Sequence, residues 1–154
     1  MMIKIRKACI DDVQKLQALD ADVFIDDPKY DSDRILGWSL SENGKAYFIN
    51  LLNNTTYCCL VAENNNKLVG YISASPKKFD QRKSKYLEID NLGVRAEYQR
   101  QGIGKMLIEN CLVWAKANGF QKVYLHAFYT NDQARAFYKK NGFSEIHVSF
   151  EKDL

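Results

Sequence analysis

Two acidic residues and a glycine turn stand close together in the chain, between Leu87 and Gly104. Glu88 and Asp90 interrupt an otherwise apolar run, and carboxylates in such surroundings can act as proton acceptors. The run leads into a polar turn that ends in Gly102 and Gly104, where a helical pattern begins at once. Free amide groups at a helix start, beside glycines that permit close approach, can bind phosphate. The stretch therefore predicts a base next to an anion site.

Two common phosphate-binding motifs do not fit this turn. A dinucleotide-binding fingerprint requires a third glycine, and the chain has Leu107 at that position. A P-loop requires serine or threonine after its Gly-Lys pair, whereas Gly104-Lys105 is followed by Met106. The turn thus predicts a phosphate cradle of another kind.

The elements that position this stretch follow from hydrophobic periodicity, turn residues and caps. The N-terminal half begins with a strand at 3–7, a helix capped by Asp11 or Asp12, a loop or broken helix at 26–37 and a second helix capped by Ser39 or Ser41. A hairpin of strands 56–62 and 68–75, an exposed basic loop at 76–84 and a central strand at 85–94 come next. The chain then forms a helix from about Ile103 to Asn118-Gly119, a strand at 122–128, a helix from Asn131 or Asp132 to Lys140, and a final strand at 143–150. Strands 85–94 and 122–128 should be parallel, because a helix connects them. The pattern predicts an α/β domain, spanning residues 1–154, with a mixed sheet of about six strands.

Composition excludes several classes of protein. The net charge of +3, from 22 basic and 19 acidic residues spread along the chain, provides no basic block for nucleic acid or a membrane surface. No apolar run approaches the roughly 20 residues needed to span a bilayer, so we expect a soluble, cytoplasmic protein. The four cysteines lack metal-ligand spacing and are expected to be small buried side chains, with no disulfide and no metal.

The turn Gln99-Arg100-Gln101-Gly102-Ile103-Gly104 resembles the acyl-CoA pyrophosphate loop, Q/R-x-x-G-x-G/A, of the GCN5-related N-acetyltransferases, the GNAT family. The strand LEIDNLGV before it and the later segment NDQARAFYKKNGF are similar to family segments that occur in the same order. The motif match extends from Tyr86 to Phe143, while in the N-terminal half only the order of elements agrees.

The resemblance implies a twisted mixed sheet whose parallel strands splay apart, with acetyl-CoA entering the gap. Pantetheine amides would add to the free edge of the strand, and backbone amides of the turn would meet the pyrophosphate. No metal is implied. The implied cofactor-binding residues are Leu92, Gly93, Val94, Gln99, Arg100, Gln101, Gly102, Ile103, Gly104, Lys105 and Asn131.

The family reaction is a direct attack of an amine on the thioester within a ternary complex. An alkylamine of pKa near 10.4 needs about 4 kcal/mol to be presented as free amine at neutral pH, and a carboxylate can assist. Relatives have their acid at the position of Glu88 or of Asp90, and strand parity places both on one face, so the choice stays open. Tyr138 matches a family tyrosine that protonates, or hydrogen-bonds to, the departing sulfur.

The sequence leaves the acceptor open. A primary amine of a small molecule is the leading expectation; the alternatives are an N-terminal or lysine amine of a protein, and a CoA-binding module without turnover. In the region where the family builds its acceptor site, acids could form a solvated loop or recognise a cationic amine, and aromatic residues could belong to the core or line a pocket. These residues are Asp20, Asp22, Asp26, Asp27, Asp31, Asp33, Trp38, Tyr47 and Phe48. About twelve residues follow Gly142, enough for one strand where many relatives have two, so a homodimer through that edge remains open.

Overall fold

A five-stranded sheet with helices on both faces forms the protein, as seen in a computed structural model that describes residues 1–154. The elements are β1 (Lys4–Lys7), α1 (Val13–Val23), α2 (Glu42–Asn53), β2 (Cys58–Asn64), β3 (Lys67–Lys77), β4 (Tyr86–Val94), α3 (Ile103–Ala117), β5 (Lys122–Leu125) and α4 (Asp132–Lys140). The strands lie in chain order; β1 to β4 are antiparallel neighbours, and β4 and β5 are parallel. The α/β class and the parallel pair are confirmed.

Local sequence signals explain two of the connections. β2 and β3 are joined by Asn65 and Asn66, whose φ angles of +49° and +64° form a two-residue turn that matches the twist of a hairpin. Ser41, one of the two expected caps, begins α2 by accepting a hydrogen bond from the amide of Gly44 at 3.2 Å. Both features depend on residues close in sequence, which is why the pattern predicted them.

The core divides into two clusters, one on each face of the sheet. On one face, Leu87 and Ile89 of β4 pack with Leu107 and other apolar residues of α3. On the other face, Tyr71 of β3 packs with Phe48 and further residues of α1 and α2. β4 therefore has a strand on either side and helices above and below, and the expected central position is confirmed.

One predicted strand is absent, and the bounds of β2, β3 and β5 differ from those expected. The segment 143–150 forms no strand, so the sheet has five strands rather than six. Beyond Phe143 its apolar side chains, such as Phe150, are exposed, and no backbone hydrogen bond involves those residues. Apolar alternation shows which side chains could face a core, but a strand also needs a partner edge. β3 continues to Lys77 instead of ending before Pro76, because its pairing with β4 extends that far. β5 ends at Leu125, where its pairing with β4 stops.

The cysteines follow the expectation in part. Cys58, Cys59 and Cys111 are buried among apolar side chains, whereas Cys9 is exposed, so the expected burial is wrong for that residue. All four carry free thiols. No helix of the chain has the length and apolarity that a bilayer crossing requires.

Candidate acyl-CoA and acceptor site

The turn between β4 and α3 is fixed by its own side chains. Arg100 and Gly102 adopt left-handed conformations, with φ of +59° and +83°. The side-chain amides of Gln99 and Gln101 donate to the backbone carbonyls of Val94 and Glu97, each at 3.1 Å. These two bonds fix the shape of the turn that leads into the start of α3.

Six consecutive backbone amides in this turn have no acceptor within the protein. The backbone N–H groups of residues 100–105 donate no hydrogen bond to main chain or side chain, and the first partnered amide of α3 is that of Met106, which donates to the carbonyl of Gly102 at 3.0 Å. Free amides and the positive end of a helix dipole favour an anion by about 0.3–1 kcal/mol from the dipole alone. The turn therefore has the donor set that a diphosphate group requires.

The two glycines of the turn have different structural roles. A Cβ added to Gly102 would meet no atom within 4 Å, so this position requires glycine for its positive φ and leaves open space beside the free amides. A Cβ added to Gly104 would lie 3.2 Å from the ring of Phe137. Close packing of α4 against α3 therefore explains Gly104 by itself, which the sequence did not indicate.

The parallel pair separates beside this turn. Backbone pairing of β4 with β5 ends at Ile89 and Leu125, while β4 continues to Val94 with β3 as its only neighbour. The edge of β4 that faces away from β3 is thus unpaired by any strand along Leu92, Gly93 and Val94. An extended ligand with amide groups can add to such an edge as a further strand would.

A β-bulge at Asp90 marks the point of separation. Ser73 pairs with Asn91 and Ala74 with Ile89, so Asp90 has no partner residue in β3. Asp90 Oδ2 accepts a hydrogen bond from Ser75 Oγ at 3.0 Å, and Asn91 Nδ2 donates to Ser73 Oγ at 3.1 Å. Because Ser73 and Ser75 are two residues apart, the bulge presents both Asp90 and Asn91 on one face of the sheet.

The two candidate carboxylates have different surroundings. Glu88 lies beside two cationic or basic groups, with Lys77 Nζ at 3.5 Å and His126 Nε2 at 3.7 Å. Burial raises the pKa of Asp90, an effect only partly opposed by the hydrogen bond from Ser75. Asp90 also lines a cavity that Glu88 does not reach. The bulge therefore separates an acid that is paired with Lys77 from one that lines the cavity.

That cavity, of about 610 Å³, lies between α1, α2, β4 and the loop that connects the two helices. Its charged lining consists of five aspartates and one arginine: Asp20, Asp27, Asp31, Asp33, Asp90 and Arg34. Burial raises the pKa of both Asp20 and Asp27, and the Asp20 carboxylate accepts a hydrogen bond from the buried Tyr71 hydroxyl. A cavity with this excess of carboxylates suits a cationic ligand.

Most of the acids and aromatic residues indicated by the sequence meet at this cavity. Trp38, Tyr47 and Phe48 all line it, as do four of the six indicated aspartates. Asp22 instead forms an ion pair with Arg95, and Asp26 lies outside the lining.

Asn91 is one of the lining residues that sequence reasoning missed, although its place directly after Asp90 could have indicated it.

Tyr138 lies on α4 between the rings of Phe137 and Phe143, with centroid distances of 5.5 and 5.8 Å. Burial raises the pKa of Tyr138 to about 12, and its hydroxyl has no hydrogen-bond partner within the protein. Asn131 caps the same helix, since its Oδ1 accepts the amide hydrogen of Ala134 at 3.1 Å. The predicted capping is confirmed, and the role of Asn131 at a cofactor stays a prediction.

The sheet opens ahead of a run of free amides, and an acidic cavity lies at the bulge. Sequence comparison identifies the class of protein to which this arrangement belongs. The chain belongs to the acetyltransferase (GNAT) family, whose sequence profile matches residues 16–143. The resemblance drawn from the sequence is confirmed.

Individual relatives agree with this placement. N-acetyltransferase 8 of Homo sapiens is 32% identical over 118 residues, which are 77% of this chain and 50% of that protein. The chain thus spans about half the length of the curated relatives it matches.

Two solved structures are similar over nearly their whole length. The aminoglycoside acetyltransferase meta-AAC0020, from an uncultured soil metagenomic sample and in complex with sisomicin, has a TM-score of 0.74 and 25% identity, covering 99% of this chain and 96% of that one. AAC(6')-Iy, in complex with the bisubstrate analogue CoA-S-monomethyl-acetylneamine, has a TM-score of 0.77 and 14% identity, covering 100% and 99%. The second likeness is one of fold alone.

Proposed function

We propose that the protein transfers an acetyl group from acetyl-CoA to the primary amine of a small cationic molecule by direct attack in a ternary complex. The observation that carries the proposal is the position of Asp90. This residue lies where β4 leaves β5, which opens the strand edge, and it also lines the acidic cavity. One carboxylate is therefore next to both substrates.

Acetyl-CoA fits the first half of this cleft. The free amides of residues 100–105 have the donors that a pyrophosphate needs, and the unpaired edge at Leu92, Gly93 and Val94 can hydrogen-bond to pantetheine amides. Lys105, which forms an ion pair with Glu109, adds a positive charge at the start of α3. Bound acetyl-CoA supplies the thioester carbonyl carbon that the amine attacks.

Asp90 is the proposed base. The acceptor amine enters the reaction as an ammonium ion and must lose a proton before its lone pair can attack. Asp90 takes this proton, directly or through a water molecule, and its raised pKa brings the carboxyl closer to the pKa of the amine. Glu88 keeps its charge engaged with Lys77 and contributes to the field around Asp90.

Tyr138 is the proposed hydrogen-bond donor to the departing sulfur. A phenol of pKa about 12 is some 3.5 units weaker as an acid than a thiol of pKa about 8.5, so full proton transfer would be uphill by about 5 kcal/mol. The neutral hydroxyl, which has no partner in the protein, can instead donate a hydrogen bond to the developing thiolate. As the tetrahedral adduct collapses, the nitrogen loses its second proton to the solvent, and the thiolate takes a proton from the solvent.

The lining of the cavity supports a cationic acceptor. Five carboxylates face one guanidinium, and Trp38 and Tyr47 offer aromatic faces to the same space. The solved relative with sisomicin binds an aminoglycoside, and the same chemical class, along with polyamines, is proposed for this chain.

A thiol-release assay tests the proposal. Purified protein is incubated with acetyl-CoA and, separately, spermidine, sisomicin, lysine, and a peptide with a free N-terminus, and free thiol is measured over time. Cationic small amines should give release above the rate without acceptor. Measurable CoA binding without release for any amine would identify a non-catalytic module, and release with the peptide alone would identify a protein acceptor.

A further inference from the structure

The side chain of Asn91 is held in one orientation by the wall of the cavity. Its Nδ2 donates to Tyr47 Oη at 3.0 Å and to Ser73 Oγ at 3.1 Å, which uses both hydrogens of the amide. Tyr47 Oη and Ser73 Oγ are themselves 3.2 Å apart, so the three groups form a closed network. Asn91 Oδ1 is the one polar atom of this side chain without a partner in the protein.

The β-bulge at Asp90 explains why Asn91 lines the cavity. Asp90 and Asn91 are consecutive residues that both line the cavity, an arrangement that a regular strand, with its alternating faces, does not allow. A carboxylate and a carbonyl oxygen from neighbouring residues therefore belong to the same cavity wall, and both are acceptors only. A primary ammonium group, with three N–H donors, can satisfy the two together.

We infer that Asn91 binds the reacting nitrogen of the acceptor and orients its lone pair, an assignment that rests on the proposed function. The ammonium donates one hydrogen to Asp90 and a second to Asn91 Oδ1. When Asp90 takes its proton, the neutral amine keeps the hydrogen bond to Asn91, which cannot accept a proton at neutral pH. The nitrogen stays in place while its lone pair, freed from the transferred proton, attacks the thioester carbon.

The contacts on Nδ2 explain why an asparagine suits this position. An aspartate would add a second charge beside Asp90, and an apolar residue would leave the hydroxyls of Tyr47 and Ser73 without the donor that fixes them. Tyr47, through its bond to Asn91, is a positioning residue in this scheme.

Nuclear magnetic resonance of the full chain labelled with ¹⁵N tests the contact without requiring turnover. The side-chain amide signal of Asn91 is identified by its loss in Asn91→Ala, and spermidine is the probe. The signal should shift with saturation, because an N–H bound at Oδ1 polarises the amide group. No shift at spermidine concentrations that saturate other cavity signals, or no saturable binding at all, would overturn the assignment.

Steady-state kinetics with spermidine adds the second readout. Asn91→Ala should raise the KM for the amine and lower kcat, with kcat/KM falling about ten- to one-hundredfold, while the KM for acetyl-CoA stays unchanged. Asn91→Gln, which retains both the carbonyl acceptor and the amide donor, should recover kcat/KM to within roughly tenfold of the original chain. Asn50→Ala, an exposed change on α2, is the matched control and should have no effect.

The two readouts separate this assignment from the proposed function. A saturable shift of the Asn91 signal without thiol release for any amine supports the contact and contradicts the proposed acetyl transfer. Thiol release with unchanged kinetics in Asn91→Ala supports acetyl transfer and overturns the role of Asn91.

Discussion

The candidate acyl-CoA turn follows the unpaired end of β4, whereas the candidate acceptor cavity lies at Asp90, where that unpaired stretch begins, and the two are built in different ways. The turn uses main-chain amides of six consecutive residues, 100–105, and its shape depends on local φ angles and two glutamine side chains. The cavity uses side chains that α1, α2, the connecting loop and β4 bring together from distant parts of the sequence. One half is local backbone geometry, and the other is a product of tertiary packing.

This difference predicts how each half responds to change. A backbone site tolerates many side chains, provided that the backbone conformation is kept and the approach stays open. A side-chain site can change its ligand by single substitutions while the cofactor half remains intact. We therefore expect variants in the cavity to alter the acceptor reaction alone, and variants in the turn to alter cofactor affinity alone.

The largest effect is expected at Asp90. Asp90→Asn removes the base but retains an acceptor for the Ser75 hydroxyl, so kcat/KM for the amine should fall about 10²- to 10⁴-fold. Acetyl-CoA affinity, measured by calorimetry, should be unchanged. Glu88→Gln is the matched control, with a loss below about tenfold, since Glu88 does not line the cavity. Equal losses in the two variants would contradict the assignment of the base to Asp90 rather than Glu88.

The pH profile of the same reaction sharpens this result. The base must be ionised to act, and burial raises the pKa of Asp90 above its usual value. Activity should therefore decline, as the pH falls, at a higher pH than an ordinary aspartate would give, with Glu88 and Lys77 as the neighbouring charges. A residual activity of Asp90→Asn that shows the same decline would contradict the assignment.

The turn should respond to a side chain at Gly102. Gly102→Leu places atoms in the open space beside the free amides, so acetyl-CoA affinity should fall on the order of 10- to 100-fold. Gly119→Leu is the matched control, because Gly119 has a similar φ of +80° at the other end of α3. Both variants should lose about 1–2 kcal/mol of stability from the left-handed conformation. Only the first should lose affinity, and equal affinity in both would reject the phosphate-binding role.

The same contrast explains how much the sequence could predict. Glycine spacing, caps and turn residues are local signals, and they predicted the glycine turn before α3, the order of the elements from β1 to α4 and the parallel pair. The bulge at Asp90 depends on the register between β3 and β4, which no local pattern contains. In a regular strand, alternation would place Asn91 on the opposite face of the sheet from Asp90, so only the bulge brings both side chains to the same face.

The C-terminal segment shows the opposite error, because a local pattern is present but the predicted strand does not form. Residues 143–150 have the alternation of a strand, yet the segment is held by side chains: Glu145 forms ion pairs with Arg135 at 2.7 Å and with Lys139 at 3.3 Å. Whether an alternating segment becomes a strand depends on a free edge in the right place, and the sequence does not describe that edge.

The proposed hydrogen bond from Tyr138 to the departing sulfur can be tested by removing the hydroxyl group. Tyr138→Phe removes the hydroxyl but keeps the ring packing with Phe137 and Phe143, so kcat should fall about tenfold with little change in acetyl-CoA affinity or thermal stability. Because the pKa of Tyr138 is about 12, its hydroxyl stays protonated below pH 10. The original chain and Tyr138→Phe should therefore show the same dependence of activity on pH up to that value. Unchanged kcat would make Tyr138 a packing residue only.

The smallest effect concerns the cost of keeping the cavity acidic. Burial raises the pKa of Asp27, so the folded protein holds a proton there more tightly than the unfolded chain does. Ionised Asp27 therefore lowers stability at pH 7, and this cost disappears as the pH falls through the raised pKa toward the unfolded value near 3.9. Asp27→Asn should raise Tm by roughly 1–2 °C at pH 7 and leave it unchanged at pH 3, a small gain because the carboxylate is partly solvated and pairs with Arg34.

Asp33→Asn, at an exposed position of the same lining, is the control for Asp27→Asn. Both substitutions remove one negative charge from the cavity and should weaken spermidine binding by similar factors, whereas only Asp27→Asn should raise Tm at pH 7. A buried charge that lowers stability and strengthens binding is characteristic of a site kept for its ligand, because the fold alone gains nothing from it. If Asp27→Asn lowered Tm instead, the ion pair with Arg34 would outweigh desolvation, and the acidic lining would be a stabilising feature of the fold.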